Sequence, residues 1–219
     1  MYGTTEQDEL SVSHLGILTD GSPPELTDDG RAIRNRLGRD GIEAKPVAWA
    51  DQSVDWNQYD AVLFRSCWEY HTDPNRFRTL LDELSAADVT VVNPPAAVDW
   101  NMHKSYLHEF AATDVQLPPT VVIEAGSSSS LESVLHREGW EHAVVKPAIG
   151  ASSTGVWRTS VAEAATHSER FRRANETRDL VIQQFVPEIE AGERSIVFLR
   201  GQYSHAWNDL PTDDDFSAF

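Results

Sequence analysis

Lys146 is one of only three lysines in the 219-residue chain, with Lys45 and Lys104. It follows Ala143-Val144-Val145, an apolar and largely β-branched run that suits a buried strand. After Pro147 comes a run of small and hydroxyl-bearing residues, Ile149 to Gly155, before Val156 and Trp157 resume β character. A cation feeding such a loop has the makings of a phosphate grip. Glycines let main-chain N–H groups turn inward, and serine and threonine hydroxyls add donors. The candidate contacts are Lys146, Gly150, Ser152, Ser153, Thr154 and Gly155. Pro147 is expected to end the first strand, because proline cannot donate to a ladder. Taken alone, the stretch fits a surface hairpin with an ordinary lysine equally well.

The elements around it fall into two patterns. The first part alternates strand and helix. Strands are expected at His14 to Thr19, Ile42 to Val47, Tyr59 to Arg65 and Val89 to Asn93. Thr27 or Asp28 caps a helix to about Gly38 whose inner face is Ala32, Ile33 and Leu37. Asp73-Pro74 opens a second helix with the apolar stripe Phe77, Leu80, Leu81 and Leu84. This alternation predicts an α/β domain with a parallel sheet. Ligands of such sheets sit beyond the carboxyl ends of strands. Arg65-Ser66-Cys67-Trp68-Glu69-Tyr70 falls there, and Arg65 and Trp68 are the candidates for a substrate pocket.

The second part reads as α+β. A helix is expected over Asp99 to Ala112, with Met102, Tyr106, Leu107, Phe110 and Ala111 on one face and Lys104 and His108, at i and i+4, on another. Leu117 to Ile123 is extended, Ser127 to Ser130 links to a short helix over Leu131 to Glu138, and the Lys146 stretch follows. A helix from about Val161 to Asn175, a strand over Leu180 to Val186, and a hairpin pairing Arg194 to Arg200 with Gln202 to Trp207 complete the reading.

Charge narrows the partners. With 18 basic and 35 acidic residues the net charge is −17, which repels nucleic acid. The excess is spread along the chain and resembles the solvation strategy of a salt-adapted cytoplasm. It does not forbid an anionic ligand. One lysine at ~4 Å from a phosphate gives roughly 4 kcal/mol at an effective dielectric of about 20, and distant carboxylates are screened within ~8 Å at physiological salt. The single cysteine, Cys67, rules out an intramolecular disulfide and a cysteine zinc cluster. No apolar run is long enough to span a membrane, and Met1 to Ser13 reads as a disordered polar leader. P-loop, dinucleotide, HExxH and GxSxG motifs are missing, and Asp213 to Asp215 lacks the glycine and terminal glutamate of an EF-hand loop.

Several runs in order carry a resemblance. Asn101-Met102-His103-Lys104-Ser105-Tyr106-Leu107 precedes Leu117-Pro118-Pro119-Thr120. Val145-Lys146-Pro147 with its loop comes next, then Val181-Ile182-Gln183-Gln184-Phe185-Val186-Pro187-Glu188-Ile189, then Gly192-Glu193-Arg194-Ser195. This order resembles the ATP-grasp superfamily, and the run through Val186 is most similar to glutathione synthetases. The runs Arg65 to Tyr70 and Tyr203-Ser204-His205-Ala206 are similar to the cycloserine-biosynthesis cyclo-ligase branch. The resemblance covers about residues 60 to 216 and rests on order and spacing rather than on any one motif.

The resemblance implies a pre-ATP-grasp domain over 14–100 and an ATP-grasp domain over 101–219, with a linker helix, a lid subdomain at about 118–182 and the start of a C-terminal subdomain from about 183. Lys104 would meet the α-phosphate and Lys146 would bridge the α- and β-phosphates, with the Gly150 to Gly155 loop folding over them. Gln183, Gln184, Phe185 and Val186 would form the adenine hinge, through the Gln183 carbonyl and the Val186 N–H. Glu193 would accept the ribose hydroxyls, since a carboxylate takes two donors well.

The implied activity is ATP-dependent carboxylate–amine ligation through an acyl phosphate on small, amino-acid-like substrates. The other reading is a catalytically incomplete ATP-binding protein, regulatory or vestigial. The family binds two Mg²⁺ through an acidic residue and a Glu-x-Asn set, and no such set follows Tyr203. The chain is therefore expected to be C-terminally incomplete, with magnesium implied by the family but no metal ligand and no catalytic residue assignable. ATP and small-molecule substrates are the expected partners, neither nucleic acid nor membrane, with self-association into a homo-oligomer left open and a cytoplasmic location expected.

Overall fold

The computed structural model describes residues 12–210, and the chain divides into two units, one ending at Met102 and the other beginning at His103. The expected leader lies outside the described residues except for Val12 and Ser13, and so does the Asp213 to Asp215 run.

The first unit carries a four-stranded parallel sheet in the order β2-β1-β3-β4. Its strands are β1 (His14–Thr19), β2 (Glu43–Ala48), β3 (Ala61–Ser66) and β4 (Thr90–Val92). Successive side chains leave opposite faces of a strand, and both faces of this sheet are covered. Leu18, Val47 and Val62 pack with Phe77, Leu80, Leu81 and Leu84 of helix α2 (Pro74–Ala86) and with Met102 of α3 (Pro95–Met102). Ile17 and Ala44 pack on the other face with Leu26, and Leu37 of α1 (Asp28–Arg39) lies against them. Helix α2 starts as its sequence dictates: Pro74 fills the first position and the Asp73 carboxylate accepts from the Arg76 N–H at 3.0 Å.

The inner face of α1 differs from the expected one. Ala32 is exposed, and Gly30, Ile33 and Leu37 turn inward. A Cβ at Gly30 would meet Thr27 Oγ1 at 3.2 Å and Leu26 Cβ at 3.3 Å, so the glycine sets how closely this helix approaches the chain before it.

The single helix expected over Asp99 to Ala112 is two helices, α3 and α4 (Tyr106–Ala111), with His103 to Ser105 between them. The break has a tertiary cause. The Lys104 N–H donates to the Ala148 carbonyl at 2.9 Å, a partner 44 residues on, instead of to its own helix. Lys104 and His108 therefore do not share a helix face, and His108 is exposed.

In the second unit β5 (Thr120–Ile123), β8 (Leu180–Gln184), β6 (His142–Pro147) and β7 (Trp157–Ser160) form an antiparallel sheet in that spatial order. One face is core. Ile123, Ala143, Val145, Trp157, Leu180 and Ile182 pack against Leu131, Val134 and Leu135 of α5 (Leu131–Glu138) and Ala164 and Phe171 of α6 (Ala164–Asn175). Strand β6 runs through Pro147, which pairs with Leu180, rather than ending before it. The last β6–β7 pair is Val145 with Trp157, so at Pro147 no β7 partner awaits the missing N–H.

A separate ribbon, β9 (Glu193–Leu199) and β10 (Gln202–Asp209), turns through Arg200 and Gly201 at φ of 52° and 74°. Two consecutive positive φ values make the tight hairpin that matches strand twist. No helix among the described residues is long and apolar enough to cross a membrane.

Candidate functional site

The face of the second sheet that turns away from α5 and α6 carries the chemistry. Register aligns Thr120, Gln183, Val144 and Arg158 across the four strands, and partners in a ladder share a face. Two residues further along β6 comes Lys146, and two beyond Gln183 comes Phe185. This face lines a cavity of about 610 Å³ together with Lys104, the Gly150 to Thr154 segment, Val186 and Glu193.

Both lysines are half-buried there. Lys146 Nζ donates to Gln183 Oε1 at 2.9 Å, and Lys104 Nζ donates to the Gly150 carbonyl at 2.9 Å. Burial holds each below the ordinary lysine range. The neighbouring Lys146 charge lowers Lys104 further, while the Glu193 carboxylate partly restores Lys146. Two half-buried cations that repel one another are costly without an anion, and an anion between them would relieve both the burial and the repulsion.

Lys104 is aimed by its main chain. Besides the bond to Ala148, the Ala148 N–H donates to the Asp179 carbonyl at 2.9 Å, and the Asp179 carboxylate meets His103 Nε2 at 3.1 Å and accepts from the Ala125 N–H at 2.8 Å. His103 and Asp179 thus hold the segment that presents Lys104. The sequence pattern offered no sign of this pairing, which spans 76 residues.

In the loop, Ser152, Ser153 and Gly155 have φ of 52°, 55° and 75°. The Thr154 N–H donates to Ala151 O and the Val156 N–H to Ser153 O, so the Thr154 amide, one of those expected to face a phosphate, is used inside the loop. The exposed hydroxyls of Ser152, Ser153 and Thr154 remain at the cavity rim.

Gln183 lies inside the sheet rather than at its edge, paired with Thr120 on one side and Val144 on the other. Its side-chain amide donates to Thr120 Oγ1 at 2.8 Å. The Gln184 N–H donates to the Pro119 carbonyl at 2.9 Å, and Pro119 has no N–H to return to Gln184. The Arg158 guanidinium lies 3.7 Å from the centre of the Phe185 ring, a cation–π pair on the cavity wall. Glu193 opens β9 beside Gly192, whose φ is 101° and where a Cβ would stand 2.5 Å from Asn208 Nδ2. Sequence reading passed over Thr120 and Arg158 as site residues. Both join this face through the pairing of β5 with β8 and of β6 with β7, which no local pattern signals.

Arg65 and Trp68 belong to the first unit. Arg65 at the end of β3 forms an ion pair with Asp29, and Trp68 is 53% exposed. The loop that follows is held by Asp20, whose carboxylate accepts from the Trp68 N–H at 2.8 Å, the Glu69 N–H at 3.2 Å and Trp49 Nε1 at 2.9 Å. Burial, and then the Asp20 charge, push the Cys67 thiol up to about 12, so it is no nucleophile at neutral pH.

Among the described residues no group of three or more His, Cys, Asp or Glu side chains could hold a metal ion. Among the described residues the acids lining the cavity are Glu188 and Glu193.

An α/β unit with a parallel sheet is followed by an antiparallel sheet whose polar face carries Lys146, with Lys104 and a hydroxyl-rich loop on the same cavity, an arrangement suited to an anionic ligand. Comparison with known proteins narrows it. Residues 103–218 match the family of the prokaryotic glutathione synthetase ATP-grasp domain, and residues 15–93 match the N-terminal domain of D-cycloserine synthetase DcsG. The chain belongs to the ATP-grasp superfamily, in the prokaryotic glutathione synthetase ATP-grasp family.

It is 30% identical to the cycloserine biosynthesis protein DcsG of Streptomyces lavendulae over 198 residues, covering 88% of this chain and 66% of that protein. It is 29% identical to a glutathione synthetase of Rhodopseudomonas palustris over 166 residues, covering 75% of this chain and 50% of that one. The crystal structure of D-cycloserine synthetase DcsG superposes with a TM-score of 0.77 at 28% identity, covering 92% of this chain and 73% of that chain. The chain thus spans between half and two thirds of the length of these two curated relatives.

Proposed function

We propose that the second unit binds ATP and serves an ATP-dependent carboxylate–amine ligase acting on small, amino-acid-like substrates. The observation that carries this reading is the pair of half-buried lysines facing one cavity, each held below its ordinary pKa and neither, among the described residues, in a direct salt bridge with a carboxylate. Family membership supports it. Lys104 meets the α-phosphate, Lys146 bridges the α- and β-phosphates, and the hydroxyls of Ser152, Ser153 and Thr154 cover them between Gly150 and Gly155. Glu193 accepts the ribose hydroxyls.

The adenine hinge runs from Gln183 to Val186. Its main-chain acceptor is Gln184 rather than Gln183, because Pro119 leaves the Gln184 carbonyl without a returning N–H while Gln183 sits within the ladder. The Val186 N–H reads the ring. In the reaction the γ-phosphoryl group passes to a substrate carboxylate oxygen and ADP leaves. An amine then attacks the acyl carbon and expels phosphate. The names of the relatives support an amino-acid-like carboxylate, and Arg65 and Trp68 of the first unit are its proposed contacts.

Isothermal titration of the full chain with ATP tests the binding reading. Micromolar affinity is expected, and heat indistinguishable from dilution would refute it. Amine-dependent release of ADP in the presence of candidate amino acids tests the ligase reading separately.

A further inference from the structure

A chain of three hydrogen bonds crosses the polar face of the second sheet. Thr120 Oγ1 donates its proton to the Pro118 carbonyl at 2.8 Å, Gln183 Nε2 donates to Thr120 Oγ1 at 2.8 Å, and Lys146 Nζ donates to Gln183 Oε1 at 2.9 Å. The chain has only one consistent direction. A hydroxyl has a single proton, and the Pro118 carbonyl takes it, so Thr120 Oγ1 faces Gln183 purely as an acceptor. It therefore calls for the NH₂ end of the amide. At the other end a lysine ammonium is only a donor and calls for the oxygen. Both neighbours turn Oε1 toward Lys146, and Lys146, Gln183, Phe185 and Val186 all line the one cavity.

We infer that Thr120 is a positioning residue that locks the Gln183 amide with its oxygen toward the nucleotide base, and that this lock selects a purine bearing an amine at position 6 over one bearing a carbonyl. The inference rests on the reading of this cavity as an ATP site. An amine has two N–H donors. The Gln184 carbonyl takes one and Gln183 Oε1 the other. A 6-carbonyl would face two acceptors, gain a proton from neither and leave the Gln184 carbonyl unpaired, a mismatch that sites built to hydrogen-bond a donor reject strongly. Lys146 cannot enforce the lock alone. Its long stem has many rotamers, and its ammonium is drawn to phosphate, whereas the Thr120 bond to Pro118 is independent of the ligand.

ATP and inosine triphosphate differ at this position and bring the same phosphates and ribose. Titration calorimetry of the full chain with each gives the preference as a ratio of dissociation constants. The unaltered chain is expected to prefer ATP by about 100-fold. Thr120→Val keeps the shape but removes the acceptor, and the ratio should fall about tenfold, the main-chain share persisting. Thr120→Ser restores the hydroxyl and should restore the ratio. A purely structural role for Thr120 would weaken both nucleotides together and leave the ratio unchanged, and that result overturns the inference, as does equal binding of the two nucleotides by the unaltered chain. Absence of ATP binding by the unaltered chain overturns the reading of the cavity and the inference with it, so the two failures are distinct.

Discussion

In the first unit both faces of the sheet are packed, and the candidate side chains gather at and just beyond the strand ends, at Arg65, Asp20 and Trp68. In the second, one face is packed and the other carries Thr120, Gln183 and Arg158 in one row across the ladder through Val144, with Lys146 two residues further along β6. A parallel strand buried on both sides has no face to give to chemistry. Its reactive groups must sit on loops, and something must hold those loops, which is what the Asp20 carboxylate does for the main chain of Trp68 and Glu69. An antiparallel sheet packed on one side offers a rigid face, and side chains there are aimed by the pleat itself.

That contrast can be broken in four ways. The largest effect should come from the packed faces. Ile182→Ala and Leu80→Ala, each fully buried, should each cost about 3 kcal/mol in denaturant unfolding. A change of under about 0.5 kcal/mol at Ile182 would mean that the two faces of the second sheet have been misassigned.

Next comes Lys146→Ala on the polar face. ATP affinity should drop about 100-fold, about 2.7 kcal/mol, by titration calorimetry. Unfolding stability should move much less, since a half-buried charge is removed along with its hydrogen bond to Gln183. Comparable losses in both would make Lys146 a structural residue.

In the first unit, Asp20→Ala strips an acceptor from three donors and should cost about 1.5 kcal/mol in the unfolding of that unit. Trp68→Ala, at a side chain 53% exposed, should stay within about 0.5 kcal/mol. The reverse ranking would place the loop's support in the tryptophan instead.

The smallest effect is that of pH. Lys104 and Lys146 have folded pKa values below the unfolded lysine value of about 10.4. Across the alkaline window between the two the unfolded chain binds more protons, so stability from these groups rises with pH. ATP affinity should fall over the same window as the lysines lose charge. Double replacement of Lys104 and Lys146 by methionine should flatten the stability trend. Persistence of the trend would assign it to other groups.

How much of this was legible in the sequence follows the range of the forces involved. Asp73-Pro74 and the stripe from Phe77 to Leu84 announced α2 because caps and periodicity act within a few residues. The apolar, β-branched run Ala143 to Val145 announced a strand leading to Lys146, but not which face the lysine takes. Family membership of the chain and its two-part architecture were legible from the order of the motifs. The break at Lys104 was not, because the carbonyl that interrupts the helix belongs to Ala148. Thr120 was not, because its role depends on β5 pairing with β8 across sixty residues, and the pairing partner cannot be read from local pattern. Gly30 displaced Ala32 from the inner face of α1 through a close approach to Thr27 and Leu26, which residue hydrophobicity does not encode.

The two-faced pleat of the second sheet also bears on which genetic changes the chain tolerates. Strand β6 alternates Ala143 and Val145 with Val144 and Lys146, and β8 alternates Leu180 and Ile182 with Val181 and Gln183. Deleting one codon in either strand would exchange the faces of everything beyond it, setting Lys146 toward α5 and α6 in β6 or Ile182 toward the cavity in β8. No compensating point substitution repairs such a swap. Length changes should therefore be purged from β6 and β8 and tolerated in the serine run between β5 and α5, where the exposed Ser127 and Ser128 carry neither face.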